Sequence, residues 1–347
     1  MNRRQKKTLK FLVLLVAALA ILLAAVSAVK RHKAQEEEAA AAASSEENTV
    51  TDSEAEYSAL TYSNSTATLS FALNEEGSWY WVDDPEFPLD ETYIIKLVNT
   101  ITGLQPQQTI TGGDALEDYG LDAPAMTITA APPEGEPLTM YLGNQVSGDS
   151  GSYYLYIDGD DTTIYVVGGT LASELSQGIY DMMSLPELPL ISEESFDSIT
   201  VQGAVETVLT AAAEKTAVDS GDSSSSSAGQ SEEITVTWHS GGADVTDNDT
   251  VRSLVSAIRT LSLERCVDYK PSDAAVSLCG FDEPAATVTA LYRDDNGAEQ
   301  TLTLAVGGTT LEGGSRYVRV NDDTTIYSIA EDKLSAVLTA ADSGLTA

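Results

Sequence analysis

"GSYYLYIDGDDTTIY" at residues 151–165 returns as "GSRYVRVNDDTTIY" at residues 314–327, one residue shorter. In both copies apolar residues alternate ahead of an acidic doublet, Leu155 with Ile157 and Val318 with Val320, which is the period of a strand with one buried face. Asp160 and Asp161, like Asp322 and Asp323, then read as the tip of a hairpin, and the Thr-Thr-Ile-Tyr that follows as the returning strand. A set of ligands would not keep its geometry through the loss of a residue, whereas a hairpin tip can. The repeated hexapeptide therefore predicts architecture used twice, not a duplicated site.

Further blocks recur around it in the same order. "LVNTITGL" (97–104) matches "LVSAIRTL" (254–261), and "YGLDAP" (119–124) matches "CGFDEP" (279–284). Collinear blocks with drifting spacing are what a duplicated module leaves when insertions fall in its loops. Each copy reads alike. A strand bearing Trp ("SWYWV" at 78–82, "ITVTW" at 234–238) precedes an amphipathic helix with apolar residues at Ile94, Leu97, Val98, Ile101 and Leu104, or at Val251, Leu254, Val255, Ile258 and Leu261. Asp90 and Asp247 are placed to cap these helices. Four alternating runs follow each Gly-Asp-Pro turn, and "DDNG" (294–297) between two of them is a hairpin signal. "TLASELSQGIYDMM" (170–183) and "EDKLSAVLTAA" (331–341) read as closing helices. The fold class is α+β: two tandem modules, each a Trp-bearing strand, an amphipathic helix and a four-stranded antiparallel meander closed by a helix.

The expected domains are a basic cytoplasmic tail (1–10), a transmembrane helix (11–29), an acidic Ala/Ser/Glu spacer (30–56), and modules at 57–190 and 191–347. Within the second module a disordered Ser-rich loop is expected over 219–233. The run "FLVLLVAALAILLAAVSAV" (11–29) holds no charge and is as long as a helix needs to cross a bilayer. Five Lys or Arg precede it and three follow, which favours a cytoplasmic N-terminus with the body extracytoplasmic. Val26-Ser27-Ala28 also fits a signal-peptide cleavage site, so both a retained signal anchor and a cleaved signal stand as readings, and either exports the body.

Eight of the 18 Lys and Arg lie in the first 33 residues, leaving ten against 54 Asp and Glu, a net of −44 beyond them. A body so acidic repels nucleic acid and anionic lipid, and nucleic-acid binding is excluded.

Residues for chemistry are sparse. The two histidines, His32 and His239, are far apart in the chain and form no metal-ligand spacing. No "GxSxG" elbow, P-loop or dinucleotide loop occurs, and the aspartates at 158, 160 and 161 or 244, 247 and 249 lack the glycine and closing glutamate of an EF-hand loop. No catalytic residue, cofactor or metal site is assigned. Trp79, Trp81, Tyr154 and Tyr156 form a candidate aromatic binding face, since such sheets hold sugars or peptides by stacking. Cys266 and Cys279 are a candidate disulfide; two buried free thiols are the other reading.

The two "GLDxP"-like turns after Leu-rich helices, the "TTIY" endings, the "SLPELPLISEESFDSITV" link (184–201) and the N-terminal run together resemble a bacterial family of unknown function numbered 4340. "CGFDEP" and the Ser-rich stretch depart from its pattern. The resemblance implies a membrane-anchored envelope protein, often encoded beside ABC-type transport components, and carries over no catalytic residue. The expected role is a non-enzymatic accessory or binding protein with a protein partner in the envelope, such as an ABC transporter permease. An envelope glycan-binding protein or a carboxylate-dependent hydrolase is the alternative.

Overall fold

The computed structural model describes residues 49–113, 115–148, 151–160, 162–218 and 231–345. The expected tail, transmembrane helix and most of the spacer lie outside the described residues, among which no helix is long and apolar enough to cross a membrane. The architecture is α+β, and the chain divides into two compact units. Unit 1 comprises the chain up to Asp83 together with Glu91–Gln177; unit 2 comprises Asp84–Asp90 and the chain from Gly178 onward. That division moves residues 84–90 and 178–190 out of the first module as expected from the sequence.

Unit 1 contains β1 (Ala59–Ser63), β2 (Thr68–Leu73), β3 (Trp79–Trp81), α1 (Thr92–Ile101), β4 (Gln108–Thr111), β5 (Met126–Ala131), β6 (Leu138–Gln145), β7 (Ser152–Ile157), β8 (Thr163–Gly168) and α2 (Gly169–Leu175). The strands form one antiparallel sheet in the order β3-β2-β1-β5-β6-β7-β8-β4. Its register lines up Trp81, Phe71, Leu60 and Ala130 across four strands, and Leu142 with Leu155 further on. These face the core with Tyr62, Ile128 and Met140, all but Trp81 fully buried. Burying a Leu or Phe side chain contributes about 1.5–3 kcal/mol, so this row and the buried Ile94, Leu97 and Ile101 of α1 supply much of the unit's stability. Residues between them along each strand, such as Thr61, Thr129 and Tyr141, share the opposite face.

Unit 2 repeats the plan. Strands β9 (Phe196–Gln202), β10 (Thr207–Val218), β11 (Ser231–Ser240), β12 (Ala243–Asp244), β13 (Arg265–Asp268), β14 (Ala286–Arg293), β15 (Glu299–Thr309), β16 (Ser315–Val320) and β17 (Ile326–Ala330) pair in the order β12-β11-β10-β9-β14-β15-β16-β17-β13. Helices α3 (Asp249–Arg259), α4 (Asp273–Leu278) and α5 (Glu331–Ser343) accompany them. Strand β14 pairs with β9 as β5 pairs with β1, and β13 closes beside β17 as β4 closes beside β8. The expected four-stranded meanders are β5 to β8 and β14 to β17. Each sits inside a wider sheet, because strands from the start of the unit add at one edge and the strand after the first helix adds at the other.

Local differences have local causes. The N-cap of α3 is Asn248, whose side chain accepts from the amides of Thr250 and Val251; Asp247 instead takes Arg252 through its side chain at 3.4 Å and its carbonyl at 2.9 Å. Helix α1 starts after Glu91, and that carboxylate accepts from the amide of Trp79 at 2.8 Å, tying β3 to the helix. The helix expected over 170–183 stops at Leu175; beyond Gly178 a separate 3-10 turn covers Ile179–Met182. The loop expected over 219–233 is shorter at its far end, since Ser231–Glu233 pair with Thr216–Val218.

Candidate functional site

The four aromatic residues of the candidate face do not come together. Trp79 and Trp81 lie on β3, at one edge of the sheet and on its core-facing side, while Tyr154 and Tyr156 lie on β7, with four strands between. Tyr156 pairs with Tyr141, one residue out of step with the row Met140, Leu142 and Leu155, so the tyrosines occupy the other face. There they pack on Tyr119, Leu121 and Ile164. Tyr119 meets Tyr154 edge-on at 4.9 Å and Tyr141 stacks on Tyr156 at 4.6 Å. Alternation in strands could not distinguish the two faces, because both carry aromatics. The tyrosines serve as a small second core beneath the "YGLD" turn.

Cys266 and Cys279 stand as free thiols in the structure, the other of the two readings that the sequence left open. Cys266 is buried on β13, across from Tyr327, and burial followed by the charges of Asp268 and Asp323 pushes its thiol up to about 12. Cys279 ends α4 and is shifted the same way, by burial first. A thiol held protonated is a poor nucleophile and a poor metal ligand. Among the described residues no group of three His, Cys, Asp or Glu side chains is placed to hold a metal ion. His239 sits on β11 opposite Thr210 and Asp244.

An aspartate of the acidic doublet accepts hydrogen bonds at the hairpin tip in each unit. Asp160 accepts from the amide and hydroxyl of Thr162, whereas Asp323 accepts from the amide of Thr325 at 2.9 Å and the hydroxyl of Tyr327 at 2.6 Å.

What the sequence did not single out is a groove of unit 2 lined by Leu190, Ile191, Ser192, Ser256, Arg259 and Thr260, with a volume of about 430 Å³. Arg259 of its wall belongs to a polar chain. Trp238, 2% exposed, donates its indole N–H to Glu193 Oε1 at 3.0 Å. The other carboxylate oxygen meets Arg259 at 3.5 Å, and Arg259 Nε donates to the Ile191 carbonyl at 3.0 Å. Arg259 closes the last turn of α3, where its charge also favours the helix dipole. These bonds pin the extended "LPLIS" segment to the helix end while Leu190 stays 94% exposed. The wall thus offers an apolar side chain, three hydroxyls and a guanidinium on an acidic chain. The signal in the sequence was Pro189-Leu190-Ile191 beside a turn; that Arg259 would meet it needed the tertiary fold.

A family model, described as a domain of unknown function (DUF4340), matches residues 79–234 and 241–343. No curated protein and no solved structure matches the chain.

Proposed function

The chain belongs to the DUF4340 family, and from that premise we propose that it is a non-enzymatic binding protein of the bacterial envelope, anchored by residues 11–29 with both units extracytoplasmic. The observation that carries the binding role is Leu190, 94% exposed beside Arg259 on a body that is otherwise strongly acidic. A large apolar side chain held outward by a rigid polar chain supports a contact surface, since its exposure costs free energy that a partner would recover. The anchored placement is supported by the apolar run and its basic flanks. A membrane permease of ABC type is the partner that the family resemblance implies. The glycan reading has less support, because the tryptophans and tyrosines occupy opposite faces of their sheet.

A photo-crosslinking residue at position 190, in intact cells, is expected to yield one membrane-protein adduct that Arg259→Glu abolishes. Position 311, where Leu311 is equally exposed, is the control and is expected to yield none. Equal yields at the two positions would sink the groove as the contact. Protease added to spheroplasts is expected to cut the body, and an uncut body would overturn the topology.

A further inference from the structure

Asp84–Asp90 lies in the chain between β3 and α1, both in unit 1, yet it packs as part of unit 2. Its sequence, Asp-Pro-Glu-Phe-Pro-Leu-Asp, contains two prolines, which offer no N–H and hold their neighbours extended. It joins no sheet. A single bridge links Leu89 to Met183; around it Asp90 donates its amide to the Met182 carbonyl at 2.8 Å and Ser184 its amide to the Pro88 carbonyl at 2.7 Å. Phe87 is buried, edge-on to Tyr269 at 5.1 Å and stacked on Tyr180 at 6.4 Å. At the rim Lys270 Nζ lies 2.6 Å from Asp84 and 3.8 Å from Glu86, and the Tyr269 hydroxyl donates to the Glu86 carbonyl at 3.1 Å.

We propose that Asp84–Asp90 is a latch on unit 2, able to open while both sheets stay folded, with Phe87 as the anchor that keeps it shut. The strap shares one β-bridge with unit 2, whereas each meander strand β14 to β17 is laddered to a neighbour on both sides, so detaching the strap breaks fewer backbone bonds than unfolding the sheet. Opening uncovers the rings of Phe87, Tyr180 and Tyr269, an apolar surface that stays hidden while the latch is closed. Of the two kinds of contact, the buried ring decides. Lys270 is more than half exposed in both of its ion pairs, with Asp84 partly covered and Glu86 open, so water screens them, and truncating a buried Phe removes more than breaking such a pair.

Hydrogen exchange of the full chain, read by mass spectrometry, tests this. In the unaltered protein, segments 84–90 and 182–185 are expected to exchange together and with a much smaller denaturant dependence than β14 and β15. Phe87→Ala is expected to speed exchange of those two segments at least about 100-fold and leave the β14 and β15 ladders unchanged. Lys270→Ala is expected to speed it less than about fivefold. If Phe87→Ala loosens the whole of unit 2 evenly, or the strap and ladders of the unaltered protein share one denaturant dependence, the strap is a core element and the latch is wrong. The wild-type comparison decides the matter even where the variant does not fold.

Discussion

Gly307 runs so close beneath Cys279 that a Cβ on it would overlap the Cys279 carbonyl oxygen, and the next amide, of Gly308, donates to that oxygen at 2.8 Å. Gly143 stands in the same relation to the Tyr119 carbonyl. Both glycines fall where a ladder slips, between Leu142 and Gln145 in one unit and between Val306 and Thr309 in the other. The Gly-Asp-Pro turn of each unit therefore rests on a bulge that only glycine fits.

Alanine at Gly143 or Gly307 is expected to cost about 1–3 kcal/mol, as forced overpacking does. Gly308→Ala is the control, because a Cβ there would meet the same oxygen at 3.6 Å, an ordinary contact, and is expected to stay within about 0.5 kcal/mol. Urea melts of the three variants check this; equal costs at 307 and 308 would remove the steric argument.

The bond between Tyr327 and Asp323 gives stability a pH dependence. Burial pushes the Asp323 carboxyl up, but the Tyr327 hydroxyl and the amide and hydroxyl of Thr325 outweigh it, leaving the group below its usual range. Burial, then Asp323, pushes the Tyr327 hydroxyl up. A carboxyl lowered by folding stabilises above its unfolded value, near 4, and that contribution is lost as pH falls through the folded value. A hydroxyl raised by folding stabilises below its unfolded value, near 10, and that contribution is lost as pH rises through the folded one. Tyr327→Phe is expected to cost about 1 kcal/mol at neutral pH, with the gap to wild type narrowing below about pH 4. A gap unchanged at pH 2.5 in urea melts would rule the pairing out.

The meander and both amphipathic helices were legible because each is local: period two in "YYLYID" and period 3.6 from Ile94 to Ile101 need no knowledge of the partner. The widening of each sheet was not, since β1 meets β5 and β13 meets β17 across long stretches of intervening chain. The aromatic face failed for a related reason. Alternation says that Trp81 and Tyr156 each face one way, and only the register across the strands between them says that those ways are opposite. Arg259 and Leu190 belong to separate elements whose meeting no local pattern encodes.

Both thiols are expected to be alkylated after denaturation without reductant, as free cysteines. In the native protein Cys266, pushed to about 12 and buried, is expected to resist iodoacetamide at pH 8 until the chain unfolds, while Cys279 reacts slowly but measurably. Peptide mapping separates the two, and a linked Cys266–Cys279 peptide would contradict the free-thiol arrangement.

Glu193 joins Trp238 to Arg259 of the groove, and its two oxygens have unequal weight. Oε1 satisfies the indole N–H of Trp238, which is buried, while Oε2 faces Arg259 where both side chains are about 40% exposed. Leaving a buried donor unsatisfied costs about 1–3 kcal/mol, whereas an exposed ion pair contributes at most about 1 kcal/mol. Glu193→Gln keeps an oxygen for the indole and removes only the charge, so it is expected to cost less than Glu193→Ala, which removes both. Glu193→Ala is also expected to shift the tryptophan emission, because the Trp238 indole loses the carboxylate it donates to while Phe196, 5.8 Å away, stays in place. If Gln and Ala prove equally costly in urea melts, the charge on Glu193 and not the indole bond holds the "LPLIS" segment, and Arg259→Ala should then be as damaging as either.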